Sequence, residues 1–462
     1  MCNITDKTKG NWFFAMRNLF NITIPVKVRK VLDCLHREGS EAFAVGGCVR
    51  DMILGCAPDD WDITTSAKPE EIKRIFPATI DTGIEHGTVT VRMDGESFEV
   101  TTYRLDGNYE DHRHPDRVEF TSSLREDLRR RDFTINAMAY NEEEGLVDLF
   151  DGLGDLERKL VRCVGEPRER FTEDALRIFR AVRFCAKLGF ELDSGTRRAA
   201  EELAPSLKLV SAERIQTELV KLLVSPHPEM ISLAWECGIT AQVLPEFDLI
   251  MEAPQNNPHH IFSVGEHTIR TLMAIRADRI LRLTMLFHDM GKPSVQTVDE
   301  NGIYHHRGHA APGAEIAGRI MRRLKFDRAS ERSVVQLVRC HSLYPDLTPE
   351  GVRRAVVRIG EDLFPLFLEV KCADIRGQNP EVQKEKLAYM DRVKELYEEI
   401  LADGDCLSLK QLAVSGDDLL ADGMKKGPEL GSVLQALLDE VLEDPARNRK
   451  EYLLERSRSL RA

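Results

Sequence analysis

The sequence has no uninterrupted apolar run long enough to span a membrane, no CxxC pair, no tandem repeat and no low-complexity segment. The first absence excludes a chain built around membrane helices. The second argues against a zinc ribbon. Ten cysteines, at 2, 34, 48, 56, 163, 185, 237, 340, 372 and 406, are scattered through mostly apolar contexts, the pattern of reduced thiols in a cytoplasmic protein. The stretch from Trp12 to Ile24 is apolar but broken by Arg17, Asn18 and Asn21 and lacks a small-residue cleavage site. It reads as a leader to the first helix, not a signal peptide. An excess of positive charge is also missing, since the net charge is −13. That counts against an indiscriminate nucleic-acid binder, yet the basic residues are bunched: Arg125 with Arg129–Arg131, Arg177 with Arg180, Arg183 and Lys187, and the tail from Arg447 to Arg461. Local basic stripes can grip a phosphate backbone in a salt-sensitive way.

What is present points to several soluble domains, with 462 residues, 42% hydrophobic and 31% charged. The most informative stretch is Val45–Thr65, VGGCVRDMILGCAPDDWDITT. An apolar approach runs into Gly46-Gly47, a helical turn carries Arg50 and Asp51, and a short loop leads to Asp60-Trp61-Asp62. In a strand, residues two apart share a face, so Asp60 and Asp62 are expected to aim their carboxylates at one point. Converging carboxylates beside a glycine turn suit two-metal phosphoryl chemistry: glycines admit a triphosphate and carboxylates hold Mg²⁺. The combination GG-x-x-R-D followed by D-x-D resembles the head of the class II tRNA nucleotidyltransferases, the CCA-adding enzymes and bacterial poly(A) polymerases of the polymerase-β superfamily.

Around it the pattern predicts a helix over 25–39, a second over 68–76 opened by Pro69, and a hairpin of 86–93 and 97–104 turned by Asp94-Gly95. Glu99, opposite in face to Phe98 and Val100, is either a third catalytic carboxylate or a solvent-facing strand residue. Residues 105–119 read as a mobile polar loop, and 127–140 as a helix behind a basic block. In the resembled family that stretch is the RRD-x-x-x-N motif, matched by Arg130, Arg131, Asp132 and Asn136, which implies nucleotide contact by Arg131. Residues 148–165, with Gly152 and Gly154, look like the hinge to a helical neck.

The neck stretch Phe171–Phe190 is predicted as one helix capped by Thr172 and ended by Gly189, with Asp174 and Arg177 neighbours on one face. It is similar to the family's E-D-x-x-R motif (Glu173, Asp174, Arg177), which implies a base-reading role, with Arg180 and Arg183 adding positive charge. SAERIQTEL (211–219) matches a bracing motif in which Glu213 and Arg214 support the helices.

A second constellation comprises His267, His288-Asp289, His309, His341 and Asp374, each in or at the end of an apolar helical segment. It resembles the HD superfamily of metal-dependent phosphohydrolases. That likeness implies a divalent metal on His267, His288, Asp289 and Asp374, with His309 and His341 extending the site or contacting phosphate.

The expected architecture is α+β. A small mixed α/β nucleotidyltransferase head (25–147) precedes an all-helical neck and body (148–260), an HD domain (261–378) and a helical tRNA-binding tail (400–462). The resemblance implies addition of the 3′-terminal CCA to tRNA from CTP and ATP, with Gly47, Arg50, Asp51 and Arg131 positioning sugar and phosphates. The alternatives are a CC-adding, A-adding or poly(A)-polymerase relative, or a nucleotide-sensing HD phosphohydrolase whose head only binds. In the resembled family CC-only members have a shortened loop where residues 103–120 stand at full length here, which implies complete CCA addition.

Overall fold

The computed structural model describes residues 22–107, 118–255 and 261–461. The leader through residue 21 and the centre of the expected 105–119 loop lie outside these. No helix among the described residues is long and apolar enough to cross a membrane. The chain divides into two compact units, one running through Leu222 and taking in Leu233–Val243, the other comprising Leu223–Ser232 and everything from Leu244.

The first unit carries a seven-stranded sheet of β1 (Ala42–Val45), β2 (Asp62–Thr65), β3 (Thr79–Gly83), β4 (Thr88–Met93), β5 (Glu96–Thr102), β8 (Met138–Asn141) and β9 (Gly145–Asp148). Its order is β3-β4-β5-β2-β1-β8-β9, with β2 and β5 parallel and the other pairs antiparallel. The predicted helices appear at Val26–Arg37 and Pro69–Ile75. Val28, Val31, Leu32 and Leu35 of the first pack with Ile63, Ile72, Val89, Val91, Phe98 and Val100. Alternation in β5 buries Phe98 and Val100 and leaves Glu99 exposed. Asp94 and Gly95 both take positive φ (52° and 82°), as a tight hairpin turn requires.

Three local expectations are corrected. Residues 127–140 are not a helix. A helix over Leu124–Arg129 ends there, a 3-10 turn covers Thr134–Asn136, and β8 follows. Thr134 and Asn136 bond Asp155 (2.5 Å) and Asp132 (3.2 Å) through their side chains, which competes with helix propagation. The ends of the 105–119 loop are ordered: β6 (Arg104–Asp106) pairs antiparallel with β7 (Val118–Phe120). Finally, Asp60 precedes β2 rather than lying in it. Gly46, at φ 82°, turns the chain away after β1, and the paired registers begin only at Asp62.

After β9 the described residues are mainly helical, with two short ribbons among them, Leu160–Val161 with Glu191–Leu192 and Thr297–Val298 with Tyr304–His305. In the second unit Arg353, on helix Pro349–Ile359, donates to Leu442 O (2.7 Å) and Asp405 (2.8 Å), tying in the tail helix Pro428–Glu443. That helix opens at Gly427-Pro428 and stops at Asp444-Pro445, as its sequence predicts.

Candidate functional site

The antiparallel register of β1 on β2 sets the turn at Gly46-Gly47 beside Asp62, and the parallel register of β2 on β5 places Asp62 directly opposite Glu99. Partial desolvation raises the Asp62 carboxyl above its ordinary range. Arg131 opposes the rise, and the neighbouring charges of Asp60 and Glu99 add to it. Three carboxylates thus influence one another's charge at one sheet end, with the half-buried Arg131 guanidinium next to them. Burial disfavours the Arg131 charge, and Asp127 and Asp62 support it. Asp127, fully buried, is held below the ordinary carboxylate range by Arg130 and Arg131 despite its desolvation, and also accepts from Thr64 Oγ1 (3.1 Å). Its role was missed in the sequence, although its i,i+3 and i,i+4 spacing to the two arginines was the available signal.

On the helix Gly47–Ile53, Arg50 Nε donates to Asp51 (2.8 Å) and Nη1 to Asn136 Oδ1 (2.5 Å). Asp51 also accepts from Lys187 Nζ (3.2 Å), so this helix, the 3-10 turn and the neck helix share one polar network. Gly46 is favoured by its φ of 82°, and a Cβ there would meet Arg131 Nη1 at 2.9 Å, so the guanidinium would have to shift.

The neck is two helices, Pro167–Glu173 and Leu176–Leu188, not the one predicted. Asp174 sits extended at the break, where its Oδ1 accepts from Leu176 N (3.1 Å). A carboxylate able to cap the next helix breaks the previous one. Thr172 is no cap; its hydroxyl donates to Arg168 O (2.8 Å). The expected Asp174–Arg177 pair is replaced by exchanged partners. Arg177 pairs with Glu173 (2.6 Å) and donates to Arg130 O (3.0 Å), while Asp174 is gripped by Arg214 (2.7 and 3.2 Å). Arg214 therefore braces the neck as its motif implies. Arg180 makes a two-nitrogen contact with Asp132 (2.6 and 3.0 Å), and Arg183 bonds Glu218 (2.8 Å) and lies 3.6 Å over the Phe184 ring. Glu218 had no sequence signal, because its partner lies 35 residues away.

With this geometry in view, comparison with known proteins is decisive. A Poly A polymerase head domain model matches residues 42–162, a model for an RNA- and SrmB-binding region of polymerase A matches 189–251, and a tRNA nucleotidyltransferase domain 2 model matches 312–456. The CCA-adding enzyme of Lactobacillus helveticus is 36% identical over 424 residues, 92% of this chain and 94% of that enzyme. The chain belongs to the CCA-adding enzyme family. The Limosilactobacillus fermentum member is 53% identical over 205 residues, so there the chain spans about half (51%) of its relative's length. Among solved structures, the Bacillus stearothermophilus CCA-adding enzyme in complex with CTP aligns with TM-score 0.69 at 30% identity, covering 94% of this chain and 98% of that one. A Thermotoga maritima CCA-adding enzyme complexed with tRNA, at 20% identity and TM-score 0.54, shares the fold.

In this family member the second unit assembles the other predicted constellation. Asp278 caps the helix that delivers His288, accepting from Ile280 N and Leu281 N (2.9 and 3.0 Å), and Ser263 caps the helix carrying His267. His309 and His341 stand at the ends of helices Ala310–Arg323 and Arg328–Cys340, and Asp374 lies near the end of Phe364–Arg376. Gly291 permits the approach: a Cβ there would fall 2.1 Å from His309 O. His267 Nε2 lies 3.2 Å from Asp374 and 3.4 Å from Asp289, and His288 Nε2 is 3.2 Å from Asp289. His309 Nε2 reaches Asp289 at 3.2 Å. Among the described residues, two sets have all their ligand atoms within 4.8 Å of one another: His267–His288–Asp289 and Asp289–His309–His341. The head trio Asp60, Asp62 and Glu99 is more open than either. Lys371, buried beside Asp374 (3.6 Å) and over the Tyr344 ring (3.8 Å), belongs to the same surroundings and was not foreseen.

Proposed function

We propose that this chain adds the 3′-terminal CCA to tRNA from CTP and ATP. The supporting observation is the coupled set Asp60, Asp62 and Glu99 at a sheet end, flanked by Arg131 and the Arg50–Asp51–Asn136 network. The tRNA 3′-hydroxyl oxygen bonds to the α-phosphorus of the nucleotide, the α–β bridging P–O bond breaks, and pyrophosphate leaves. The donor set, open carboxylates with one raised by desolvation and by its acidic neighbours, fits a hard divalent cation. Two Mg²⁺ held by Asp60 and Asp62 would supply charge neutralisation and a more acidic hydroxyl. Gly47 leaves room for the triphosphate, Arg50 and Asp51 orient the sugar, and Arg131, Arg180 and Arg183 offset phosphate charge.

Cytosine and adenine present an amino donor beside a ring acceptor, whereas uracil and guanine reverse that order. Asp174 only accepts and Arg177 only donates, so the pair complements the first edge and leaves charges unpaired against the second. Three bonds to Asp174 leave its carboxylate capacity for about one more donor. Residues 25–147 thus carry the chemistry, 148–260 read the base and the tRNA, and 400–462 form a tRNA-binding tail. Incubating the protein with tRNA lacking its 3′ end, CTP, ATP and Mg²⁺, then sequencing the ends, tests this. Ends stopping at CC, or extended by A alone, would reject complete CCA addition.

A second reading is favoured by the buried His/Asp cluster. Residues 261–378 act as an HD-type phosphohydrolase, with His267, His288, Asp289 and Asp374 holding a divalent metal. Mixed nitrogen and oxygen donors suit a first-row transition ion. Phosphate release from phosphomonoesters that survives the double change His288→Ala, Asp289→Ala would remove this reading.

A further inference from the structure

We propose that Phe184 is a positioning residue of the nucleotide site: its ring holds the Arg183 guanidinium by the face and so keeps the edge of that group free for the phosphates of the incoming nucleotide. This rests on the reading of Arg50, Arg180 and Arg183 as contacts to that nucleotide, and adds the residue that aims one of them.

Three guanidiniums converge on this one ring. The central carbons of Arg183, Arg50 and Arg180 lie 3.6, 5.3 and 5.5 Å from its centroid. All are within the range over which an aromatic face attracts a cation. Phe184 is buried (5% exposed), and its own tilt is set by Phe133, which meets it edge-on at 5.5 Å. Like charges gathered in a buried place repel, and each arginine here has a carboxylate beside it: Asp51 for Arg50, Asp132 for Arg180 and Glu218 for Arg183.

What separates Arg183 from the other two is how few of its donors are used. Arg50 bonds Asp51 through Nε and Asn136 through Nη1, and its Nη2 lies 2.7 Å from Asp51. Arg180 commits Nε and Nη2 to Asp132. Arg183 donates through Nε alone, to Glu218 (2.8 Å); among the described residues its Nη1 and Nη2 make no hydrogen bond. Four N–H donors therefore remain on those two nitrogens. A second carboxylate would fix the group by taking up these donors. Stacking fixes it through the face and leaves the edge for two phosphate oxygens. An aliphatic side chain at 184 could fill the same space but would not restrain the charge. Burial lowers the Arg183 pKa from its ordinary value and Glu218 opposes the shift; the ring acts in the same direction as Glu218.

The alternative is a ring that only fills space. Fluorination separates the two, because it drains negative charge from the ring face with little change of shape. The full chain is made with Phe184 replaced in turn by mono-, di- and trifluorophenylalanine, and the Kd for CTP is measured by equilibrium dialysis. The Kd is expected to rise with each added fluorine, by about tenfold over the series. Cytidine has no phosphate to meet Arg183, so its inhibition constant, measured by competition with CTP, is expected to stay within about twofold. The same series in an Arg183→Gln background is expected to lose about half or more of its slope. A flat Kd, or one that weakens for cytidine as much as for CTP, assigns Phe184 to packing and overturns the proposal. A slope undiminished by Arg183→Gln overturns it as well. CCA addition by the parent is scored separately from the tRNA ends, so graded CTP binding without complete CCA addition removes the function reading and leaves this one standing.

Discussion

Asp62 and Asp174, proposed to hold metal and to read the base, are positioned in different ways. Asp62 acts through what surrounds it, with Glu99 opposite in register, Asp60 nearby and Arg131 opposing their charge. Removing a metal-holding carboxylate should cost more than the roughly 10–100-fold typical of groups that merely support a ligand. Asp60→Ala and Asp62→Ala are each expected to lower the rate of CMP incorporation into tRNA by more than about 100-fold; activity within tenfold of the parent would move the metal site elsewhere. Asp174 is held by Arg214 and by a helix-capping bond, so its geometry is set in advance of the base contact proposed for it. Asp174→Ala or Arg177→Ala is expected to weaken use of CTP and ATP and narrow their lead over UTP, each unpaired buried group having been worth about 1–3 kcal/mol. Steady-state incorporation of all four nucleotides measures this. An unchanged preference for CTP over UTP in both variants would place base selection on other residues.

Two elements are built so that backbone shape and charge support one another. The turn ending β1 depends on Gly46, whose φ of 82° an L-residue rarely adopts and whose missing Cβ makes room for Arg131. Gly46→Ala is expected to cost about 1–3 kcal/mol, read as a lowered melting temperature, and to displace Arg131 with a loss of nucleotide affinity. The neck helix Leu176–Leu188 docks on the 3-10 turn region through Arg180 and Asp132. Burial pushes the Asp132 carboxyl up, but Arg180 outweighs it and leaves the pKa at about 2. A carboxyl lower in the folded state than in the unfolded chain stabilises above the ordinary carboxylate pKa near 4. That contribution fades as pH falls toward 2 and is worth roughly 2 kcal/mol when fully present. In Arg180→Met the stability of the first unit between pH 4 and 2 should therefore depend less on pH, as followed by urea unfolding; an undiminished acid slope would show that the pair does not hold Asp132.

At the level of the whole molecule the two polar sites lie in separate compact units with separate cores. The double change His288→Ala, Asp289→Ala is expected to leave CCA addition within about threefold of the parent while abolishing metal binding by the second unit. Loss of tRNA tailing in that variant, with its circular dichroism unchanged, would show that the cluster takes part in nucleotide transfer. Metal at about 100 times its dissociation constant should stabilise the second unit by roughly 2.7 kcal/mol, visible as a shift confined to one unfolding transition.

The local sequence by itself determined the elements whose causes are local. The hairpin turned by Asp94-Gly95, the helix ends at Gly189 and Asp444-Pro445, and the buried alternation of β5 all follow from residues within a few positions. The candidate site residues could be picked out for a related reason: Gly46-Gly47, Arg50-Asp51 and Asp60-x-Asp62 lie within one short stretch. Tertiary structure alone decided the partners. The strand at Met138–Asn141 exists because β1 offers it an edge, although its own stretch reads as helix. Asp174 pairs with Arg214, 40 residues away, instead of Arg177, three away. Helix ends from four segments turn their Nε2 atoms onto Asp289 in two couples. Sequence spacing constrains neighbours within a turn or a strand, whereas a buried charge takes whichever partner the packed backbone brings to it.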